Sequence, residues 1–154
     1  AFDMEVIAWS QHLTAARCAE VGVGLVSRDE LFARSDFLSI HLVLSERTRS
    51  LVGAAELAAM KPGAWLINTS RGPICDEDAL ADACRRRVIA GAALDAYGTD
   101  PLPADHPFRR LPNVLASPHI GYVSAAVYEG FYRDIAEDCR AYLDGAPVRV
   151  ITAA

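Results

Sequence analysis

The stretch Lys61-Pro62-Gly63-Ala64-Trp65-Leu66-Ile67-Asn68-Thr69-Ser70-Arg71-Gly72 decides the fold. Lys61-Pro62-Gly63 stops a helix, Trp65–Thr69 reads as a short strand, and the run then breaks off into polar residues. Two further runs repeat this arrangement. Ile89-Ala90-Gly91-Ala92-Ala93-Leu94 closes at Asp95, and Val114-Leu115-Ala116 leads through Ser117 into Pro118-His119-Ile120-Gly121. Strands that are apolar throughout, without alternation, belong to parallel sheets covered on both faces. In open sheets of that kind, ligands bind just outside the carboxyl ends of the strands. A cation (Arg71), a carboxylate (Asp95) and an imidazole (His119) are therefore delivered to one edge.

Working outward, the pattern alternates strand and helix. Met4–Trp9, Val23–Val26 and Phe37–Leu42 read as strands before the decisive one, and Asn113–Ala116 as the last. Leu13–Val21, entered near Thr14, reads as a helix, and so do Glu56–Met60 and Glu77–Arg87, the latter starting at Asp76. Ser27-Arg28-Asp29-Glu30 is a capping box opening a short helix to Arg34. The chain closes with a long helix from about Ser124 to Leu143, whose apolar set Val127, Tyr128, Phe131, Ile135 and Cys139 predicts a face packed in the core. The fold class is α/β, a doubly wound, Rossmann-like parallel sheet with helices on both faces. The loop Gly98–Pro112, with prolines at 101, 103, 107 and 112, is long for such a domain. Prolines give it a fixed path, which suits a segment that must position one carboxylate.

The chain has 154 residues, a formal charge of −5 and 52% hydrophobic residues, enough for one domain with a real core. No apolar stretch approaches the ~18 residues that span a bilayer. Apart from Arg85-Arg86-Arg87, which ends a helix where cations suit the dipole, there is no basic cluster to grip nucleic acid. Cys18, Cys75, Cys84 and Cys139 are scattered, so buried reduced thiols and a cytoplasmic location are expected, and no metal site.

Several motifs together resemble the D-isomer-specific 2-hydroxyacid dehydrogenases. They are Val6–Ser10, Ser39-Ile40-His41-Leu42, Met60–Gly72, Gly91–Asp95, Pro101-Leu102-Pro103, Leu111–Val114 and Pro118–Gly121, in order and nearly end to end. The resemblance implies an NAD(P)-binding domain that reduces a 2-oxoacid to a D-2-hydroxyacid. In it Arg71 grips the substrate carboxylate and carbonyl oxygen, a task that suits a permanently charged planar fork. His119 is the implied proton donor, a role its side-chain type fills near neutrality. Asp100 stands where the family usually has Glu, beside the catalytic His, and a carboxylate there favours imidazolium. Being one methylene shorter, it is expected to make a longer contact or to need a loop shift; Asp105 is a weaker competitor.

On the cofactor side, Asp95 is the implied partner of the nicotinamide carboxamide, although an Asp after a strand also serves to cap a turn. Thr69 and Ser70 would face the cofactor, with Arg71, His119 and Gly121 beside it. Leu42, Val43 and Thr48 would line its adenosine half, Val43 replacing a common Pro, and His41 could lie close to it. His12 reads as solvated and His106 as a loop residue. Ser10 stands where Asp or Glu would bind the adenosine ribose, so the cofactor is NAD with NADP left open.

One departure is large. The G-x-G-x-x-G phosphate loop is missing, and Gly22-Val23-Gly24 leads into a strand rather than replacing it. Ala1-Phe2-Asp3-Met4 resembles the end of the helix that follows that loop in the family. Residues 1–154 are thus expected to be a partial NAD(P)-binding domain, with 122–154 a helix and tail that would contact an absent substrate domain. The strand before the loop is central in the order 3-2-1-4-5-6, so its absence would leave unpaired edges on either side. Alone, such a piece is expected to be inactive; the full-length form would act on a small 2-oxoacid as a homodimer. A dinucleotide-binding regulatory or corepressor-like module, or an inert remnant, are the alternatives.

Overall fold

Residues 3–152 are described by a computed structural model. The sheet-forming runs become β1 (Ile7–Ala8), β2 (Gly24–Leu25), β3 (Phe37–Ile40), β4 (Trp65–Asn68), β5 (Gly91–Leu94) and β6 (Val114–Ala116). The helices are α1 (Ala15–Glu20), α2 (Arg28–Arg34), α3 (Ala54–Ala59), α4 (Glu77–Arg85) and α5 (Ala125–Leu143), with 3-10 turns at Gly72–Ile74 and Pro107–Arg109. All pairings between strands are parallel. The α/β class is the expected one.

The strands divide into two sheets, β1-β2 and β3-β4-β5-β6. The division falls where the missing central strand is expected to lie. In the larger sheet Leu38 pairs with Leu66, Leu66 with Ala92 and Ala92 with Val114, so the strand ends stay in step. Burial falls off toward the edges. Along β5, Gly91, Ala92 and Leu94 are buried, whereas in β3 Phe37 and Ser39 are exposed and in β6 Leu115 and Ala116 are. Cover on both faces therefore holds for the inner strands, and the edge strands read as half-open.

Strand lengths are shorter than the sequence predicts. Of Met4–Trp9 only Ile7 and Ala8 pair, because a strand extends only as far as its neighbour does. Ala1 and Phe2 lie outside the described residues, and Asp3 and Met4 carry no helix. Helix starts are better determined. Thr14 caps α1, Ser27 and Glu30 form the reciprocal box of α2, Asp76 caps α4 and Ser124 caps α5. Helix α3 begins two residues earlier than predicted, where the Glu56 carboxylate accepts the Gly53 N–H at 2.9 Å.

The core gathers Phe32, Leu38, Ile40, Leu57, Leu66, Ile74, Leu80, Cys84, Ile89, Leu94 and Phe108. Two compact units are present, 1–119 and 120–154. The second consists of α5 and the tail, and within it Arg149 pairs with Glu137 and Asp138. Core packing of α5 is not observed. No residue of the helix is buried, and Phe131, Tyr132 and Ile135 are all more than half exposed. Apolar periodicity identifies a face suited to burial; it does not supply what covers it. Cys139, on the same helix, is exposed for the same reason, while Cys18, Cys75 and Cys84 are buried and unpaired. Among the described residues no helix is long and apolar enough to cross a membrane.

Candidate active site

Because β3, β4, β5 and β6 run parallel, the loops that follow them share one edge of the sheet. Those loops carry His41–Thr48, Thr69–Arg71, Asp95–Asp100 and Ser117–His119.

The β4 loop is shaped by a buried amide. Asn68, 1% exposed, donates from Nδ2 to the Arg71 carbonyl at 3.0 Å and accepts the Ser70 N–H at 3.1 Å. This Asx-type turn brings Arg71 out into solvent, with its guanidinium donating to the Ser70 carbonyl at 2.7 Å. Gly72 follows because no other residue fits: a Cβ there would lie 2.0 Å from the Tyr97 carbonyl carbon. The β4 and β5 loops are therefore in backbone contact. Asp95 donates its N–H to the Asn68 carbonyl at 3.0 Å and holds a buried carboxylate at the same edge.

His119 and Asp100 meet directly. Asp100 Oδ2 is 2.9 Å from His119 Nδ1, so the shorter side chain reaches without the longer contact that its length suggests. The peptide before Pro101 is cis, and His119 itself has left-handed backbone geometry, φ +59°. For a non-glycine residue that conformation is sparsely populated and must be held by its surroundings.

On the β3 side, the Ser70 hydroxyl donates to the Leu42 carbonyl at 2.6 Å. Thr48 is buried, donating to the Val43 carbonyl at 2.7 Å and accepting the Ser45 N–H at 2.8 Å. Its hydroxyl is thus engaged by backbone of the Val43–Thr48 segment. Val43 is exposed, Leu42 half-buried, Thr69 exposed, and His41 is exposed with its ring bonded to Ser39 Oγ at 2.9 Å. Ser10 lies two residues beyond β1 of the smaller sheet, where its carbonyl accepts the Leu13 N–H. Gly121 lies in the 120–154 unit.

Three residues that shape the site are absent from the motif reading. Glu77, in the first turn of α4, accepts the Gly98 N–H at 2.8 Å. Arg109 donates to the carbonyls of Pro103 at 2.9 Å and Leu102 at 2.7 Å. Buried Tyr97 donates from its hydroxyl toward the carbonyls of Leu94 and Ser117. The Pro-rich loop is thus pinned by side chains as well as by its prolines. Glu77 reaches Gly98 across 21 positions and Tyr97 reaches Ser117 across 20, whereas Arg109 grips carbonyls six and seven residues back within its own loop.

Residues 1–121 match the family described as D-isomer specific 2-hydroxyacid dehydrogenase, NAD binding domain. The chain belongs to this family. Among relatives of the D-2-hydroxyacid dehydrogenase domain, D-3-phosphoglycerate dehydrogenase of Mycobacterium leprae is 39% identical over 145 residues, 94% of this chain and 27% of its own length. Glyoxylate/hydroxypyruvate reductase B of Enterobacter agglomerans is 44% identical over 117 residues, 76% of this chain and 36% of its own. Among solved structures, D-lactate dehydrogenase with NAD+ from Lactobacillus jensenii superposes with a TM-score of 0.81 at 25% identity, covering 97% of this chain and 48% of that one. The chain thus spans about a quarter to a half of the proteins it matches. NAD is the cofactor of the family domain.

The residues present fit one end of that cofactor. The buried Asp95 carboxylate can accept from a carboxamide NH2, and Arg71 and His119 stand on loops of the same edge. The 154 residues contain no G-x-G-x-x-G loop, so they offer no phosphate cradle of that kind.

Proposed function

We propose that Arg71, Asp100 and His119 form the reacting half of a D-2-hydroxyacid dehydrogenase active site, with Asp95 holding the nicotinamide end of the cofactor. The observation that carries this reading is the 2.9 Å contact between Asp100 and His119 at the carboxyl edge of a parallel sheet. A carboxylate on Nδ1 fixes the tautomer and orientation of an imidazole, as a proton-transfer catalyst requires. Proton exchange with the substrate oxygen is then the task of Nε2.

The cofactor, when bound, supplies the hydride to the 2-carbon of the oxoacid or takes it back. Arg71 binds the substrate carboxylate through its planar fork and orients the adjacent carbonyl. His119 gives a proton to the 2-oxo oxygen in reduction and removes it in oxidation. Asp100 offsets the imidazolium charge while His119 is protonated. Leu42, Val43, Thr48, Thr69 and Ser70 form the cofactor wall, with His41 and Ser10 at its margins. Ser10 neither repels nor grips a 2′-phosphate, which supports NAD with NADP tolerated. Glyoxylate, hydroxypyruvate and phosphohydroxypyruvate are the substrates to try. We read the intact protein as a homodimer of the cytoplasm; the buried unpaired thiols Cys18, Cys75 and Cys84 support a reducing compartment.

The test is NADH oxidation by the intact protein with those three oxoacids, wild type against His119→Ala. Activity that collapses while NAD binding persists supports the enzyme reading. NAD binding without turnover of any oxoacid in the wild type overturns it in favour of a regulatory module.

A further inference from the structure

Three donors converge on two carbonyl oxygens beside the candidate site. The Ser117 N–H donates to the Leu94 carbonyl at 2.8 Å, and the His119 N–H donates to the Ser117 carbonyl at 3.0 Å. The Tyr97 hydroxyl lies 3.0 Å from the same Leu94 oxygen and 2.7 Å from the same Ser117 oxygen. The Tyr97 hydroxyl carries a single proton, which goes to the nearer Ser117 oxygen, and the two lone pairs of that carbonyl accept both the hydroxyl and the His119 N–H. The Ser117–His119 bond closes a three-residue turn around Pro118, whose ring-fixed φ suits it. That turn delivers His119 in its left-handed conformation.

Tyr97 sits three residues before Asp100 and twenty before Ser117, so its ring spans the two arms that carry Asp100 and His119. Its hydroxyl grips the one oxygen that closes the His119 turn. Backbone also locks this end of the loop, since a Cβ on Gly72 would strike Tyr97 and Gly98.

We propose that the Tyr97 hydroxyl is a positioning residue for proton transfer: by pinning the Ser117 carbonyl it holds the His119 turn in register with Asp100. The inference rests on the acid-pair reading of His119 and Asp100. The hydroxyl keeps its proton under all physiological conditions, because burial, then the charges of Asp95 and Asp100, push its ionisation upward. It is therefore a permanent donor. A phenylalanine would fill the same volume and leave the Ser117 oxygen with the backbone donor alone.

The experiment reads the imidazole directly. In the 154-residue chain, side-chain nitrogen shifts of the neutral His119 ring, read at alkaline pH, report the ratio of Nδ1–H to Nε2–H tautomers, which an overall loss of stability does not move. Asp100 selects the Nδ1–H form. Asp100→Ala should abolish that preference, and Tyr97→Phe should lower the ratio roughly twofold or more, the effect of weakening one net hydrogen bond. If Asp100→Ala removes the preference and Tyr97→Phe leaves it intact, Tyr97 does not position the pair and the inference fails. If neither variant changes the ratio, the Asp100–His119 pair itself is wrong. Should Tyr97→Phe not fold, the wild type decides: a Tyr97 hydroxyl proton slow enough in exchange to show a cross-peak to the His119 N–H supports the shared grip on the Ser117 carbonyl, and a rapidly exchanging hydroxyl overturns it.

Discussion

Asp100 and His119 are nineteen positions apart in sequence, yet Asp100 Oδ2 and His119 Nδ1 are within direct hydrogen-bond reach. The two arms that carry them are a loop after β5 and a turn after β6, and the parallel order of the sheet sets those ends side by side. If this pair performs proton transfer, its two members should fail unequally. His119→Ala should lower oxoacid reduction by the intact protein about 10²–10⁴-fold, the usual weight of a general acid. Asp100→Asn keeps the shape but removes the charge that balances imidazolium, so its loss should be smaller and fall on kcat more than on KM. Steady-state kinetics with NADH checks both. A loss in Asp100→Asn equal to that of His119→Ala would argue against the division of roles.

Gly72 is the tightest point between the β4 and β5 loops. Gly72→Ala must displace backbone on the Tyr97–Gly98 side, and no flexible side chain is there to yield. Destabilisation should reach the top of the ~1–3 kcal/mol overpacking range or exceed it. Gly63→Ala is the control, because a Cβ there meets nothing within 4 Å and should change stability by about 0.5 kcal/mol or less. Urea melts of the two variants make the comparison.

What the sequence discloses follows from the range of each interaction. Ser27 and Glu30 are three residues apart, and their capping box is readable because both halves lie within one turn. Asp76 and Ser124 are legible caps for the same reason. The strand-end placement of Arg71, Asp95 and His119 follows from apolar runs and the edge rule. The family resemblance singles out Asp100 by its place before Pro-Leu-Pro, but its reach depends on the path of a fifteen-residue segment, Gly98–Pro112. That path is set by Glu77 and Tyr97, which act across 21 and 20 positions, and by Arg109, whose grip six residues back follows no helix or turn pattern. The α5 face shows the converse limit: Phe131 and Ile135 are correctly spaced for burial and are exposed.

The thiols should report these surroundings. Cys139 is exposed on α5, whereas Cys18, Cys75 and Cys84 are buried. Ellman's reagent at pH 8 should therefore titrate one thiol of the folded chain quickly and the other three only on unfolding. Cys139→Ser should remove the fast phase. Two or more fast equivalents in the native chain would contradict the burial of the core thiols.

Burial holds the Cys75 thiol up at about 12 and the Cys84 thiol up at about 11, from an ordinary 9.0. For Cys75 desolvation leads, with the Glu77 charge adding to it. Between these values the unfolded chain has released protons that the folded chain retains, so stability falls as pH rises. The contribution is complete below about pH 9 and disappears progressively from there to about 11–12. Each fully responding thiol adds a slope of about 1.4 kcal/mol per pH unit. Urea melts from pH 8 to 11 should show the decline, and Cys75→Ala should make it shallower even though it lowers stability at pH 8.

Glu77 fixes the near end of the loop that presents Asp100. Its carboxylate accepts the Gly98 N–H at 2.8 Å and lies 3.9 Å from His106 Nε2, further along the loop. His106 in turn accepts the Phe108 N–H at 3.3 Å, and its ring lies 4.6 Å from the ring of Phe108, which is 1% exposed. Glu77→Ala removes the acceptor and should speed amide exchange at Gly98 about fivefold, the equivalent of roughly 1 kcal/mol of net hydrogen bonding. Glu77→Gln keeps an acceptor oxygen and should retain most of that protection. Amides of Leu102 and Pro103's neighbour Ala104, on the segment gripped by Arg109, should change less in either variant. Equal acceleration along the whole loop would mean that Glu77 holds all of it; no acceleration at Gly98 would mean that backbone packing against Gly72 alone sets the position of Asp100.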